Sequence, residues 1–467
     1  MNGGFEPMKG DIGLKLSARV ANHVVHCPFE SLPRATVLAA KRAILDGVGV
    51  MFAASGVSED IVPFVELARS VGGAPQATII GFKERVSAPM AALANGAMAH
   101  ALDFEDAFDQ APCHPNASLL PALLSLAESR SPISGREFIV AVATGCDLVC
   151  RLALSLRQPL ESGGWYPPPI LGAFGATAAV SRALRLNPAQ ITDAFSLLLC
   201  QNTCPGEIKH SPETVIRAIR EAFPAQAALL SSLLAERGVR GFAHPLEGQS
   251  GFFALYASGR YEPSDITEGL GERFWIEHLS FKKWPCCRGT HAYIEAAQTL
   301  RQVHGFAAAD IAELRIFGGA LQRMLCEPET QKRRPQTIID AKFSLPFTLA
   351  VALSDEEVTL DSFTPERLAE TLLLSIAAKT CFEFRQEISQ PAAGEICITL
   401  NDGRVLRQRI LHALGDPTRP LNDAALHAKF LNCTAHAALP LNRHDAEALA
   451  DRILNLEREP DVGALLS

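Results

Sequence analysis

Among its 12 cysteines the chain has no Cys-x-x-Cys pair, so the usual zinc and iron–sulfur signatures are missing. The thiols are scattered among Ala, Leu and Val. Cys146 and Cys150, four apart in a helical pattern, read as core packing, and the vicinal Cys286-Cys287 pair suits no structural disulfide. Free thiols of this kind fit a reducing compartment. The segment from Met1 to Lys15 lacks the apolar core of a signal peptide. No uninterrupted apolar run is long enough to span a bilayer, and no amphipathic basic anchor for a membrane surface is present. The expectation is therefore a cytoplasmic protein with no membrane role. No basic stripe interleaved with aromatics occurs either. With 43 Lys and Arg against 51 Asp and Glu, the net charge of −8 disfavours nucleic acid as a partner. Internal repeats and low-complexity tracts are also absent.

What is present is a long chain, 467 residues, with a hydrophobic share of 48%, which fits two or three domains and not one core. The first half reads as helix after helix. Apolar residues recur at i, i+3 and i+4 through 14–26, 33–54, 61–71, 88–101, 118–128, 135–154, 170–184, 188–199 and 215–236. Several of these segments are Ala-rich on more than one face, such as AVATGCDLV and GAFGATAAV, which predicts helices buried inside a bundle. Ser134, Asn187 and Ser264 are turn or N-cap signals. The run Trp165 to Pro169 reads as a rigid loop before the next helix.

Near Phe274 the texture changes. WIEHLSFKKW, AELRIFGG, GEICITLNDG and GRVLRQRIL alternate as strands do, and Asp402-Gly403 between two such runs is a hairpin signal. Helical stretches at 289–304, 341–353 and 365–377 lie between them. From Asn422 the pattern returns to amphipathic helix. The expected fold is mainly α. A large all-helical domain, 1–272 with 409–467, is closed by both chain ends around a smaller α+β domain, 273–408.

Two clusters carry chemistry. Asn95 to Pro115, NGAMAHALDFEDAFDQAPCHP, sets His100, Asp103, Glu105, Asp106, Asp109 and His114 in a largely apolar stretch. Carboxylates there must be paired, bound to something or wet. The second cluster, FKKWPCCRGTH from Phe281 to His291, is basic and ends in an imidazole. Together they suggest a pocket for a small anionic substrate.

The ordered segments NGAMAHALDFEDAF…HPNASLLPALLSLAE, YPPPILGAFGATAAVSRALRL, FKKWPCCRGTHAYIEAA and DAKFSLPFTLAVAL resemble the MmgE/PrpD family. That family includes 2-methylcitrate dehydratase, cis-aconitate decarboxylase and iminodisuccinate epimerase. The resemblance implies that the α+β domain is a lid, that the protein is a homodimer, and that chemistry on di- or tricarboxylates proceeds between the domains without metal or organic cofactor. It places the family's LDFxD acid on Asp103 and its His-Pro histidine on His114. Where the dehydratase and decarboxylase branches carry His-Pro-Pro, this chain has Tyr166-Pro167-Pro168. A lysine used in those branches falls near Val215. The nearest here is Lys209, with Arg217 and Arg220 following. After Pro285, where the decarboxylase branch has a histidine, stands Cys286.

These departures direct the expectation to an iminodisuccinate-epimerase-like isomerase that removes and returns a proton α to a carboxylate. The alternatives are a hydro-lyase of the 2-methylcitrate type and a non-catalytic carboxylate-binding relative. The expected catalytic residues are Asp103, His114, Tyr166, Lys209 and His291. Lys209 serves as a base opposite Tyr166, and His114 stands in a stiff loop suited to proton transfer. The expected substrate-binding residues are His100, which shares a helix face with Asp103 if the helix continues, with Arg217, Arg220, Lys283 and Arg288, the last able to grip a carboxylate with two bonds. Asp106 is a weaker second acid, Glu105 reads as structural, and Lys342 reads as a helix-start charge beside Asp340. The bland reading of each is a solvated loop charge or a plug under a proline turn.

Overall fold

Small residues set the centre of the molecule. The computed structural model describes residues 14–130, 132–211 and 213–466. Its first half is a bundle in which helix Gly135–Ser155 crosses helix Pro167–Ala183 at two glycines. A Cβ on Gly145 would lie 2.6 Å from the carbonyl oxygen of Gly175, and one on Gly175 would lie 2.5 Å from that of Gly145. Helix Ala88–Ala101 is buried on nearly every face. Its Gly96 leaves room for the backbone of Glu221 and Ala222 at the start of helix Ala222–Glu236. That contact holds the last turns of one helix against the beginning of the other, where His100 and Arg220 stand. Helix Gly135–Ser155 is long and apolar enough to cross a membrane by length and composition, yet 94% of that stretch is buried.

The fold is mostly α with some β. One four-stranded sheet runs in the order Thr380–Phe384, Ile311–Gly318, Gly394–Leu400, Val405–Ile410. Its first pair is parallel and the other two are antiparallel. The hairpin expected at Asp402-Gly403 joins the last two strands, with Gly403 at φ 89°. Strand Thr380–Phe384 was not expected. WIEHLSFKKW is not a strand: it holds a short 3-10 turn, Trp275–His278, and one bridge between Ser280 and Ala107. The region before it is not purely helical, since Ala77–Thr78 and Arg85–Val86 pair as a short ribbon. The three prolines after Tyr166 form the first turn of helix Pro167–Ala183 and not a loop, because a first turn needs no amide donors. The expected 215–236 helix is broken into Ile216–Ile219 and Ala222–Glu236.

Ser134 and Asn187 cap their helices as expected. At Pro263–Thr267 the cap is Glu262, and Ser264 donates to it. The late helices Asp423–Ala435 and Arg443–Leu454 pack on Arg34–Val57, so the two ends of the chain share one core.

Candidate functional site

Helix Ala88–Ala101 stops just before the acidic cluster. Asp103 adopts φ 48°, a left-handed conformation that aspartate tolerates better than most residues. The 3.6-residue spacing therefore no longer governs which acids face inward. Three lysines from distant segments hold the next three carbonyl oxygens. Lys342 Nζ donates to Leu102 at 2.9 Å, Lys282 Nζ to Asp103 at 2.9 Å, and Lys429 Nζ to Phe104 at 2.7 Å. Lys282 also pairs with Asp103 Oδ1, both side chains being buried. Burial alone would raise the Asp103 carboxyl, but the Lys282 ammonium outweighs it and holds it below its usual range. Lys282 is raised against its own burial by Asp103 and Glu105. Lys342 has no carboxylate on its ammonium among the described residues, and burial brings it down to about 8 despite Asp103.

Behind Asp103 runs a chain of hydrogen bonds. Glu221 accepts from Arg220 Nε at 3.0 Å. Arg220 Nη1 donates to His100 Nε2, and His100 Nδ1 bonds Glu105 Oε1. The same Glu105 oxygen lies 3.1 Å from His114 Nδ1, which also lies 2.9 Å from the carbonyl of Asp106. A guanidinium can only donate. His100 Nε2 must therefore be unprotonated, with the proton on Nδ1. His114 Nδ1 faces two acceptors and must also carry its proton, which leaves its Nε2 as a lone pair. Both imidazoles are neutral: burial, then Arg220, pushes His100 far below its ordinary value, and burial with Lys282 takes His114 down to about 3.

The pocket in front of this network has a volume of about 530 Å³. Asp103, His114, Tyr166, Lys209, Arg217 and Arg288 all line it. The Tyr166 and Lys209 loops meet through a bridge between Trp165 and Pro205 and a 2.8 Å bond from Tyr166 N to the Cys204 carbonyl. Lys209 Nζ stands 5.2 Å over the Tyr166 ring and 3.4 Å from Glu161. The two are thus neighbours on one wall and leave no space for a substrate between them. This corrects the expectation that they face each other. Arg288 is held by Asp109 at 3.0 and 3.2 Å. Arg217 differs. It is 8% exposed, stacks 3.4 Å over the ring of Phe343, and has no ion pair or side-chain hydrogen bond among the described residues.

Four expected residues lie elsewhere. His100 and Arg220 are buried behind the wall and hold other side chains in place. His291 is buried, bonded to Arg288 Nη1 at 3.3 Å and to the Cys286 carbonyl at 3.2 Å. Lys283 is exposed, and its neighbour Lys282 is the buried one. Asp106 is fully buried and raised to about 8 by burial, Asp46 and Glu105, so it is a neutral acid that contributes its backbone carbonyl. Lys342 is buried and bonded to Leu102, and Asp340 pairs instead with Lys332 at 2.8 Å. Glu105 was read as structural, but it joins both imidazoles. The Cys287 thiol lines the pocket and is pushed up to about 11 by burial and Asp103, which makes it a poor nucleophile.

His100, Asp103, Glu105 and His114 bring one ligand atom each within 4.8 Å of one another, a donor set of a kind that could hold a cation. Lys282 already sits on Asp103, and protons on both Nδ1 atoms already face Glu105. The atoms of the cluster that face one another are thus already engaged by hydrogen bonds to the protein's own groups.

A mostly helical scaffold thus sets two neutral imidazoles, a lysine–carboxylate pair and an arginine with no ion pair among the described residues at one pocket. The chain belongs to the MmgE/PrpD family: the N-terminal domain model of that family matches residues 18–264 and its C-terminal domain model residues 284–456. It is 26% identical to the cis-aconitate decarboxylase-like protein oryM of Aspergillus oryzae, over 97% of this chain and 96% of that one. It is 24% identical to a cis-aconitate decarboxylase of Aspergillus terreus, over 97% and 95%. To the cis-aconitate decarboxylase of Mus musculus it is 26% identical, over 91% and 87%. These relatives are lyases by name, and nothing in them supports the epimerase expectation over its lyase alternative.

Proposed function

We propose that this protein is a lyase that breaks a bond next to a carboxylate of a small polycarboxylic acid. The observation that carries this is Arg217, a buried and unpaired cation in the same pocket as the neutral, tautomer-fixed His114. An unpaired guanidinium there has one natural partner, a substrate carboxylate. Bond breaking α to that carboxylate leaves negative charge spread over carbon and oxygen. Arg217 supplies preorganised positive charge for it. His114 Nε2 is the proton acceptor, and Asp103 Oδ2, which has no hydrogen bond among the described residues, is a second. The family relatives named as decarboxylases support the lyase class.

Epimerisation is the second reading. It draws on Tyr166, a proton-carrying side chain on a different segment from His114, as a two-sided transfer requires. Proton NMR in D2O with citrate, 2-methylcitrate, cis-aconitate and the iminodisuccinate stereoisomers separates the readings. New olefinic signals or loss of CO2 support the lyase. Deuterium entering at Cα with diastereomers interconverting replaces it with the isomerase. Binding with no turnover of any of these acids points to a non-catalytic relative.

A further inference from the structure

The walls of the pocket are not all suited to carboxylates. Helix Ala320–Cys326 turns Leu321 and Met324, three residues apart, toward the cavity, and both are only half-buried. The helix is fixed in that orientation. Gln322 Nε2 donates to the Pro391 carbonyl at 2.9 Å, and its Oε1 accepts from Gly319 N at 3.0 Å. Gly289 leaves space for Leu321, since a Cβ there would fall 2.9 Å from Leu321 Cδ2. Pro391, Phe108 and Ala111 line the same cavity. Apolar side chains left partly exposed inside a binding pocket gain by being covered with hydrocarbon.

The charges agree. Lys209 and Arg288 line the cavity but already hold Glu161 and Asp109, and Asp103 holds Lys282. Arg217 is the lining cation without such a partner among the described residues. A compact acid with three charged carboxylates would meet one cation not already in an ion pair, since the three lining carboxylates are balanced by Lys209, Arg288 and Lys282. It would also leave the Leu321 and Met324 side uncovered. A cavity of about 530 Å³ lies within the range that takes drug-sized ligands.

We propose that the substrate carries an alkyl chain in addition to one or two carboxylates, and that Leu321, Met324 and Pro391 form the subsite for that chain. The proposal rests on the reading of Arg217 as the carboxylate partner. Met324 is suited to such a role because its unbranched thioether adapts to chains of different length.

The test is calorimetric binding of succinate and of 2-methyl-, 2-ethyl-, 2-butyl- and 2-hexylsuccinate to the full-length protein. Each methylene buried in the subsite tightens binding about four-fold, from roughly 0.8 kcal/mol per CH2. The heat-capacity change grows more negative with each carbon. Met324→Asn, checked for folding by its thermal melt, reduces the increment per methylene, whereas Arg217→Ala weakens the whole series by a common factor. Affinity that is flat or falls with chain length, while succinate itself binds, overturns the alkyl subsite and leaves the carboxylate reading standing. Absence of binding across the series, succinate included, overturns both.

Discussion

Glu105 shows how one side chain can set the chemistry of another. Its carboxylate orients His114 through Nδ1 and raises the imidazole pKa against the dominant effect of burial. Glu105→Gln removes that anion. It should lower kcat on the order of 10²-fold with little change in KM, and shift the acid limb of kcat/KM to lower pH. A purely structural glutamate would leave that limb in place. Arg217→Ala should act on the other parameter, raising KM through the lost carboxylate contact, as steady-state kinetics on the productive acid would show.

His114 also leaves a mark on stability. Folded, it stays neutral down to about pH 3, whereas unfolded it takes a proton near 6.5. Below 6.5 the unfolded state therefore binds the extra proton. Its contribution costs about 1.4 kcal/mol per pH unit as pH falls through that window. His114→Gln abolishes this slope, and urea titrations of both proteins between pH 6 and 4 measure the difference.

At the scale of elements, the prediction concerns the crossing of Gly135–Ser155 and Pro167–Ala183. Each glycine there faces the other's carbonyl oxygen at a distance no Cβ can occupy. Gly175→Ala should cost about 1–3 kcal/mol through overpacking, read from the shift in denaturation midpoint. Helix Ala88–Ala101 was legible to the residue, because its Ala-rich pattern depends on local spacing alone. The site beyond it was only partly legible. Spacing could not assign Glu105, since the left-handed turn at Asp103 breaks the helical period. Lys282 and Lys283 are adjacent and chemically identical, and only the tertiary fold decides which is buried. The Ser280 bridge could not be distinguished from a strand, because alternation over ten residues is shared by both. The HP and LDFxD motifs led to His114 and Asp103, which do line the pocket. The basic cluster beginning at Phe281 led to Arg288 and also to His291, which is buried outside the pocket lining.

For the whole molecule, the late helix Asp423–Ala435 matters because it brings Lys429 to the site. Lys429 pairs with the buried Asp46 at 2.6 Å and donates to the carbonyls of Phe104 and Lys282. Lys429→Met strands the Asp46 charge in the core and should destabilise the protein by about 3–5 kcal/mol, measured by equilibrium unfolding. Asp46→Asn in the same chain should recover much of that loss.

The three lysines at Leu102, Asp103 and Phe104 come from positions 342, 282 and 429. During synthesis on a ribosome, the segment carrying Asp103 emerges first and waits for all three. Domains fold as units while the chain is made, yet this turn has no complete set of partners until residue 429 has cleared the exit tunnel. A nascent chain that stops short of that point leaves the Phe104 carbonyl without its lysine and this wall of the pocket unfinished.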